Sequence, residues 1–93
     1  MSNNLDEIRI KINQCDLKLI EAFKERMNLV KEVALYKKAN NLPIFDKNRE
    51  KLIKEKNIKL LNDKEIEEYF LNFFENLLIE SKKYQKRIID DEK

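Results

Sequence analysis

The sequence predicts an all-α fold: a three-helix protomer with a very long first helix, which pairs with a second copy as an intertwined homodimer. The 93 residues include no glycine and one proline, so almost nothing breaks a helix. Apolar and charged residues are nearly balanced, at 42% and 41%, which is typical of amphipathic helices. The length fits one domain that spans residues 1–93.

The first helix is predicted over residues 5–39, where apolar side chains recur at alternating steps of three and four. This apolar seam comprises Leu5, Ile8, Ile12, Cys15, Leu19, Ala22, Val30 and Val33, and the cations Arg26 and Lys37 fall in the same register. Asn3 or Asn4 suits the N-cap. Such a helix is roughly 50 Å long, whereas a compact monomer of this size has a radius of gyration of about 12 Å. We therefore expect a second copy to cover the projecting part.

Two shorter helices are predicted after a connector at residues 42–45, where Pro43 disfavours helix. Asp46 is the expected N-cap of a helix over residues 47–60. Asn62 and Glu65 have the spacing of a capping box, which would open a third helix over residues 64–88. The apolar stripe of that helix is Ile66, Phe70, Phe73, Leu77, Ser81, Tyr84 or Gln85, and Ile88.

The composition excludes several kinds of chemistry. Without histidine and with one cysteine, the chain has no Ser-His-Asp triad, zinc site or disulfide. Without glycine it has no phosphate-cradling loop, so we expect neither a metal nor a cofactor. A net charge of +2 does not indicate a nucleic-acid partner.

No apolar run approaches the roughly 20 residues of a membrane span, and the first residues do not form a secretory signal, so we expect a cytoplasmic protein.

Four polar residues interrupt the apolar stripes. Arg26 and Lys37 are 11 positions apart, within about 20° of one helix face, and Ser81 and Gln85 share a face at a spacing of four. An unpaired buried cation is costly, so the pattern indicates either carboxylate partners or an anionic ligand. Taken singly, each residue also has a purely structural interpretation, such as a snorkelling arginine, a lysine at a helix C-terminus or the solvated end of a stripe.

The four polar residues belong to a larger pattern of six short sequence blocks that follow one another along the chain. The blocks are Leu5-x-x-Ile8-Arg9-x-x-Ile12, Asp16-x-x-Leu19-Ile20, Arg26-Met27-x-Leu29-Val30-x-x-Val33, Ala34-x-x-Lys37, Leu42-Pro43-Ile44-Phe45-Asp46-x-x-Arg49-Glu50 and Glu80-Ser81-x-x-x-Gln85. Through them the chain resembles the all-helical class of chorismate mutases from about residue 5 to residue 88. The resemblance implies a monofunctional enzyme, without a cofactor, that rearranges chorismate to prephenate in phenylalanine and tyrosine biosynthesis.

The resemblance also implies roles for eight side chains. Arg26 and Ser81 would bind substrate carboxylate, and Arg49 occupies a neighbouring basic position. Lys37 would reach a carboxylate and the ether oxygen whose bond breaks, with Gln85 as the second donor to that oxygen. The remaining roles are those of Asp46 and Glu50, which would receive the ring hydroxyl, and of Arg9, which would act in the site of the opposite protomer.

The spacing of Arg9 supports a site shared between two chains. Arg9 precedes Arg26 by 17 residues and Lys37 by 28, which is ~25 and ~42 Å along one helix. A ligand about 8 Å across cannot bridge those distances, given the rise of an α-helix. Only an antiparallel helix from a second chain brings an Arg9 to the other two cations.

Two other functions fit the sequence. An isochorismate-pyruvate lyase would have the same fold and a similar cationic pocket, and its differences would lie in the connector around residues 40–46. A non-catalytic helical module would instead use a basic patch for an acidic partner, made of Lys82, Lys83, Lys86 and Arg87. Cations near a helix C-terminus are also favoured by the helix dipole, which explains that patch without a partner.

Overall fold

The computed structural model describes residues 4–91, which form three α-helices and, within that range, no strand. Helix α1 is Asn4–Ala39, α2 is Lys47–Leu61 and α3 is Glu67–Asp91. This confirms the all-α fold and the very long first helix, which runs uninterrupted for 36 residues. Asn4 is already inside α1, and the other candidate cap, Asn3, lies outside the described residues.

The ends of α2 are set by two polar side chains. Asp46 caps its start as predicted, because its Oδ1 accepts the N–H of Arg49 at 3.0 Å. Asn62 ends it in the left-handed conformation, at φ 47° and ψ 46°, and its N–H donates to the Ile58 carbonyl at 3.1 Å. Left-handed geometry is typical of a helix end, whereas an N-cap residue is normally extended.

The predicted capping box between Asn62 and Glu65 is therefore wrong, and α3 begins three residues later than expected. Since Asn62 ends α2, it does not start α3. Asp63 takes over locally, because its Oδ1 accepts the N–H of Glu65 at 3.0 Å in a turn of the Asx type. Residues 64–66 form that turn, and α3 starts at Glu67.

Helix α3 packs against both α1 and α2. The buried apolar residues are Val30 and Ala34 from α1 and Leu78 and Ile88 from α3. The predicted stripe of α3 is wrong at Phe73, which is 56% exposed, and at Ile66, which is 45% exposed and precedes the helix. Phe74, next to Phe73, turns inward instead, and its ring lies 5.6 Å from that of Phe70.

The N-terminal half of α1 has no covering layer in this single chain, because every residue from 4 to 25 is exposed. The seam residues Leu5, Ile8, Ile12 and Leu19 are each about half exposed, and Cys15 is exposed rather than part of a core within its own chain. The radius of gyration is 17.1 Å, against about 12 Å for a compact chain of this length. The helix thus projects as expected.

None of the described helices combines the length and the hydropathy that a bilayer span requires.

Candidate functional site

A cavity of about 180 Å³ lies where all three helices and the connector meet. The residues that line it are Arg26, Val30, Val33 and Lys37 from α1, Ile44 from the connector, the α2 cap Asp46 with Arg49, Glu50 and Ile53 from α2, and Leu78, Ser81, Lys82 and Gln85 from α3. Seven of the eight predicted site residues therefore line one cavity. The exception is Arg9.

Arg26 is held at the cavity by neutral groups. Its Nη1 donates to the Ser81 hydroxyl oxygen at 2.5 Å, and that hydroxyl donates onward to the Leu77 carbonyl at 2.7 Å. The guanidinium carbon also lies 5.9 Å from the centre of the Phe74 ring. Partial burial lowers the pKa of Arg26 below its ordinary value, but a guanidinium still stays charged at neutral pH.

Lys37 lies in the last turn of α1, where the helix dipole favours a cation. Its ammonium Nζ donates to the Ile44 carbonyl of the connector at 2.7 Å. An ammonium has three N–H donors, so this bond fixes the position of Lys37 and leaves further donors for a ligand.

The sequence indicated either carboxylate partners or an anionic ligand for the two seam cations, and the structure distinguishes between these alternatives. Within residues 4–91, neither Arg26 nor Lys37 forms an ion pair with a carboxylate. Their partners are a hydroxyl and a backbone carbonyl, which are dipoles and not charges. Since unpaired cations in a partly closed cavity are costly, this arrangement favours an anionic ligand.

Gln85 is the most buried amide of the site. It is 7% exposed, and its Oε1 has no hydrogen-bond partner in the part of the chain that the structure describes. Buried polar atoms are nearly always paired. The side chain also lines the cavity, and its NH2 group is the part of the amide that can donate to a ligand.

The two acidic residues of the cavity already have partners. The Asp46 carboxylate caps α2 through the N–H of Arg49, and its carbonyl oxygen accepts the N–H of Glu50 at 3.0 Å. The Glu50 carboxylate pairs with Lys82, whose Nζ lies 3.1 Å from Oε2 and 3.4 Å from Oε1.

Lys82 is the site residue that the sequence interpretation placed elsewhere. The alternative of a non-catalytic helical module placed it in a basic patch, but it lines the cavity and pairs with Glu50. The other three patch members pair with acidic residues on α3: Lys83 with Glu80, Lys86 with Asp90 and Arg87 with Asp91. Lys82 is four residues after Leu78 and three before Gln85, so helical spacing puts all three on one face. That spacing was the available signal.

Arg9 is exposed on the N-terminal half of α1 and does not line the cavity of its own chain. A straight α-helix separates it from Arg26 by ~25 Å, at ~1.5 Å per residue. The single chain therefore brings together every predicted site residue except the one expected from a second protomer.

The donor set suits a small organic anion. Cavity walls from α1, α2 and α3 carry four cationic side chains, namely Arg26, Lys37, Arg49 and Lys82, against two carboxylates. Among residues 4–91, no group of three or more acidic or cysteine side chains is arranged to hold a metal ion. Guanidinium, ammonium and amide donors recognise carboxylates and ether oxygens.

Comparison with known proteins agrees with this chemistry. The sequence pattern of the family described as chorismate mutase type II matches residues 8–86. The chorismate mutase of Methanocaldococcus jannaschii is 34% identical over 92 residues, which cover 98% of this chain and 93% of that protein. No solved structure matches the chain significantly. The all-helical fold and a match over most of the chain lead to one conclusion: this protein belongs to the chorismate mutase type II family.

Proposed function

We propose that the protein catalyses the intramolecular rearrangement of chorismate to prephenate in the cavity between its three helices. The observation that carries this proposal is the pair of seam cations, Arg26 and Lys37, which have no carboxylate partner within residues 4–91. Membership in the chorismate mutase type II family supplies the substrate class. Chorismate carries two carboxylates and an ether bridge, which are the groups that these donors recognise.

The first task of the site is to hold a flexible dianion in its reactive chair-like conformer. Arg26 binds one carboxylate, and Arg49 in the first turn of α2 adds positive charge to the cavity. Guanidinium groups bind carboxylates through two parallel hydrogen bonds, which fixes both position and angle. Restricting the substrate to the reactive geometry removes a large entropic part of the barrier. Ser81 supports this step, because it holds Nη1 of Arg26.

The second task is to stabilise charge in the transition state. The ether C–O bond breaks as a new C–C bond forms within the same molecule, so no proton, electron or group is exchanged with the protein. Negative charge accumulates on the ether oxygen meanwhile. Lys37 and Gln85 act as the two donors to that oxygen, in a cavity that both side chains line and where Lys37 is held by the Ile44 carbonyl. The ring hydroxyl donates to the Glu50 carboxylate, beside the backbone of Asp46.

The third element is a second copy of the chain. The exposed area of 7989 Å² exceeds that of a compact monomer of this mass by about 2,300 Å², an excess that suits an obligate dimer interface. The exposed seam on residues 4–25 supplies the apolar surface. In an antiparallel, intertwined homodimer, Arg9 of one protomer enters the cavity of its partner and binds the remaining carboxylate.

The test is direct. Purified protein is mixed with chorismate and the formation of prephenate is followed by ultraviolet absorbance, with Arg26→Ala as the inactive control. Conversion far above the uncatalysed rate is expected. No acceleration with correctly folded protein would refute the proposal. A parallel assay with isochorismate, in which released pyruvate is measured, separates the mutase from a lyase of the same fold.

A further inference from the structure

The ion pair between Glu50 and Lys82 occupies a distinctive place in the fold. These two residues line the central cavity and also an outer groove on the far side of the pair, where Phe45, Lys47, Lys51, Lys54 and Glu75 are found. No other residue of the cavity lining also lines that groove. The pair is therefore the wall between the two spaces.

Lys82 ties three parts of the site together. It extends from α3, reaches both oxygens of Glu50 on α2, and its Nζ lies 4.6 Å from the centre of the Phe45 ring in the connector. The pair is mostly removed from solvent, with side-chain exposures of 28% for Lys82 and 15% for Glu50. A charge-assisted contact with both oxygens, at 3.1 and 3.4 Å, holds the carboxylate close to α3.

The cavity gives Glu50 competing partners. Arg26, Lys37 and Arg49 line the same space, and a carboxylate free to rotate would be drawn to any of them. Such a rearrangement would both remove the hydroxyl acceptor and neutralise a cation that the substrate needs. The ion pair with Lys82 opposes such a rearrangement, because it already engages the Glu50 carboxylate.

We propose that Lys82 is a positioning residue for the reaction: its ammonium holds the Glu50 carboxylate so that the carboxylate accepts the ring hydroxyl of the bound substrate and leaves the inner cations free. This inference rests on the proposed function and adds a residue to it. Lys82 acts through Glu50 and does not itself contact the substrate.

The chain offers a matched control. Lys54 on α2 pairs with Glu75 on α3, so it also links those two helices, and it lines the same outer groove. It does not line the central cavity. Lys54→Met therefore removes the same charge and the same kind of helix link without touching Glu50.

Turnover of chorismate by wild type, Lys82→Met, Lys82→Arg and Lys54→Met is the first measurement. We expect Lys82→Met to lower kcat/KM about tenfold, mainly through KM, since the hydroxyl contact is made in both the ground state and the transition state. Lys82→Arg keeps most of the activity because a guanidinium also holds a carboxylate by two bonds. Lys54→Met stays within about twofold of wild type. Thermal unfolding of each variant confirms that it is folded.

The second measurement separates action through Glu50 from direct contact. Titration calorimetry compares two stable cyclohexene dicarboxylates that differ only in the ring hydroxyl. We expect Lys82→Met to weaken binding of the hydroxylated ligand about tenfold. The affinity for the ligand without the hydroxyl should stay within about twofold of the wild-type value. Equal weakening of both would show that Lys82 binds a carboxylate itself, and no weakening of either would show that Glu50 does not depend on it. Either result overturns the inference.

The two proposals fail differently. A wild-type protein that does not convert chorismate refutes the proposed function. An active wild type with an unaffected Lys82→Met variant, or with the same loss in Lys54→Met, refutes only the positioning role of Lys82.

Discussion

The two halves of α1 belong to one uninterrupted helix and carry one apolar seam, yet they have opposite surroundings. Residues 26–39 pack against α3 and bury Val30 and Ala34. Residues 4–25 are exposed throughout, although their seam is at least as apolar. The periodicity of apolar residues therefore predicts which face of a helix is buried, but not whether the same chain or another chain buries it. The uncovered half is the surface that the proposed homodimer would bury.

The two halves also differ in what their cations can do. Arg26 and Lys37 on the C-terminal half line a cavity shaped by three helices, whereas Arg9 on the N-terminal half lines no part of that cavity. The proposed dimer gives Arg9 the same function as the other two by placing it in the partner's cavity.

The largest effect is expected when each half of α1 is disabled in a different chain. Arg9→Ala and Arg26→Ala homodimers should each lose about 10³-fold in activity, since each removes one partner of a buried charge pair with the substrate. Mixed in equal amounts and refolded, they should recover roughly a quarter of wild-type activity, because about half the dimers have one intact site of two.

The measurement is turnover before and after refolding, with each variant refolded alone as the control. If mixing restores nothing, Arg9 acts in its own chain or not at all, and the two halves of α1 do not cooperate across protomers.

The next largest effect is expected in the covered region, where Gln85 is buried and lines the cavity. Gln85→Ala should lose about 2.7–4 kcal/mol of transition-state stabilisation at every pH, as for loss of an oxyanion donor. Gln85→Glu should be slow at neutral pH, because an ionised carboxylate repels the developing charge. It should regain rate as the pH falls toward the pKa of the new carboxyl, since only the protonated form donates.

The measurement is the pH profile of turnover for wild type and both variants, with circular dichroism to check the fold. Between about pH 5 and 9, the turnover of the wild type should not change with pH on account of Gln85, because its amide is neutral throughout that range. Full activity of Gln85→Glu at pH 8 would mean that Gln85 does not contact the breaking bond, and Lys37 would be the sole donor.

The third prediction tests the uncovered half through stability. Ile12 lies on the exposed seam, while Leu17 lies on the opposite face of the same helix and is 63% exposed. If a partner covers the seam, Ile12→Ala should cost about 2–5 kcal/mol for each protomer, whereas Leu17→Ala should stay within about 0.5 kcal/mol. The thermal midpoint of the wild type should also rise with protein concentration.

Thermal unfolding at several concentrations, with sedimentation to count protomers, provides the test. A compact monomer at micromolar concentration, or equal effects of the two substitutions, would show that the seam remains uncovered in solution.

Most of the fold could be predicted because the signals were local. The lack of glycine, the single proline and the seam fixed the number of helices, and Asp46 marked the start of α2 correctly. The family interpretation was confirmed by the comparisons. The start of α3 was wrong because Asn62 fits either a helix start or a helix end, and only the path of the chain decides between them.

Tertiary contacts explain the remaining differences. Phe73 and Phe74 are both suitable for an apolar stripe, and packing against Arg26 and Phe70 selected Phe74. Lys82 resembled its basic neighbours in sequence, but its partner is 32 residues away on another helix. The pairing itself has no local signal, although the helical spacing of Lys82 from Leu78 and Gln85 indicates the face that they share. The homodimer, the roles of the site residues and the cytoplasmic location stay predictions.

The two asparagines at positive φ, Asn41 at 54° and Asn62 at 47°, mark the ends of α1 and α2 in a chain that has no glycine. Asparagine accepts the left-handed region better than most residues but still at some steric cost. In return, an unfolded chain without glycine samples fewer backbone conformations. Each residue that replaces a glycine at a compatible position therefore stabilises the folded state by about 0.4–1 kcal/mol, because the chain loses less entropy on folding. For a protein this small, a stiff unfolded chain offsets the modest core that one protomer can build.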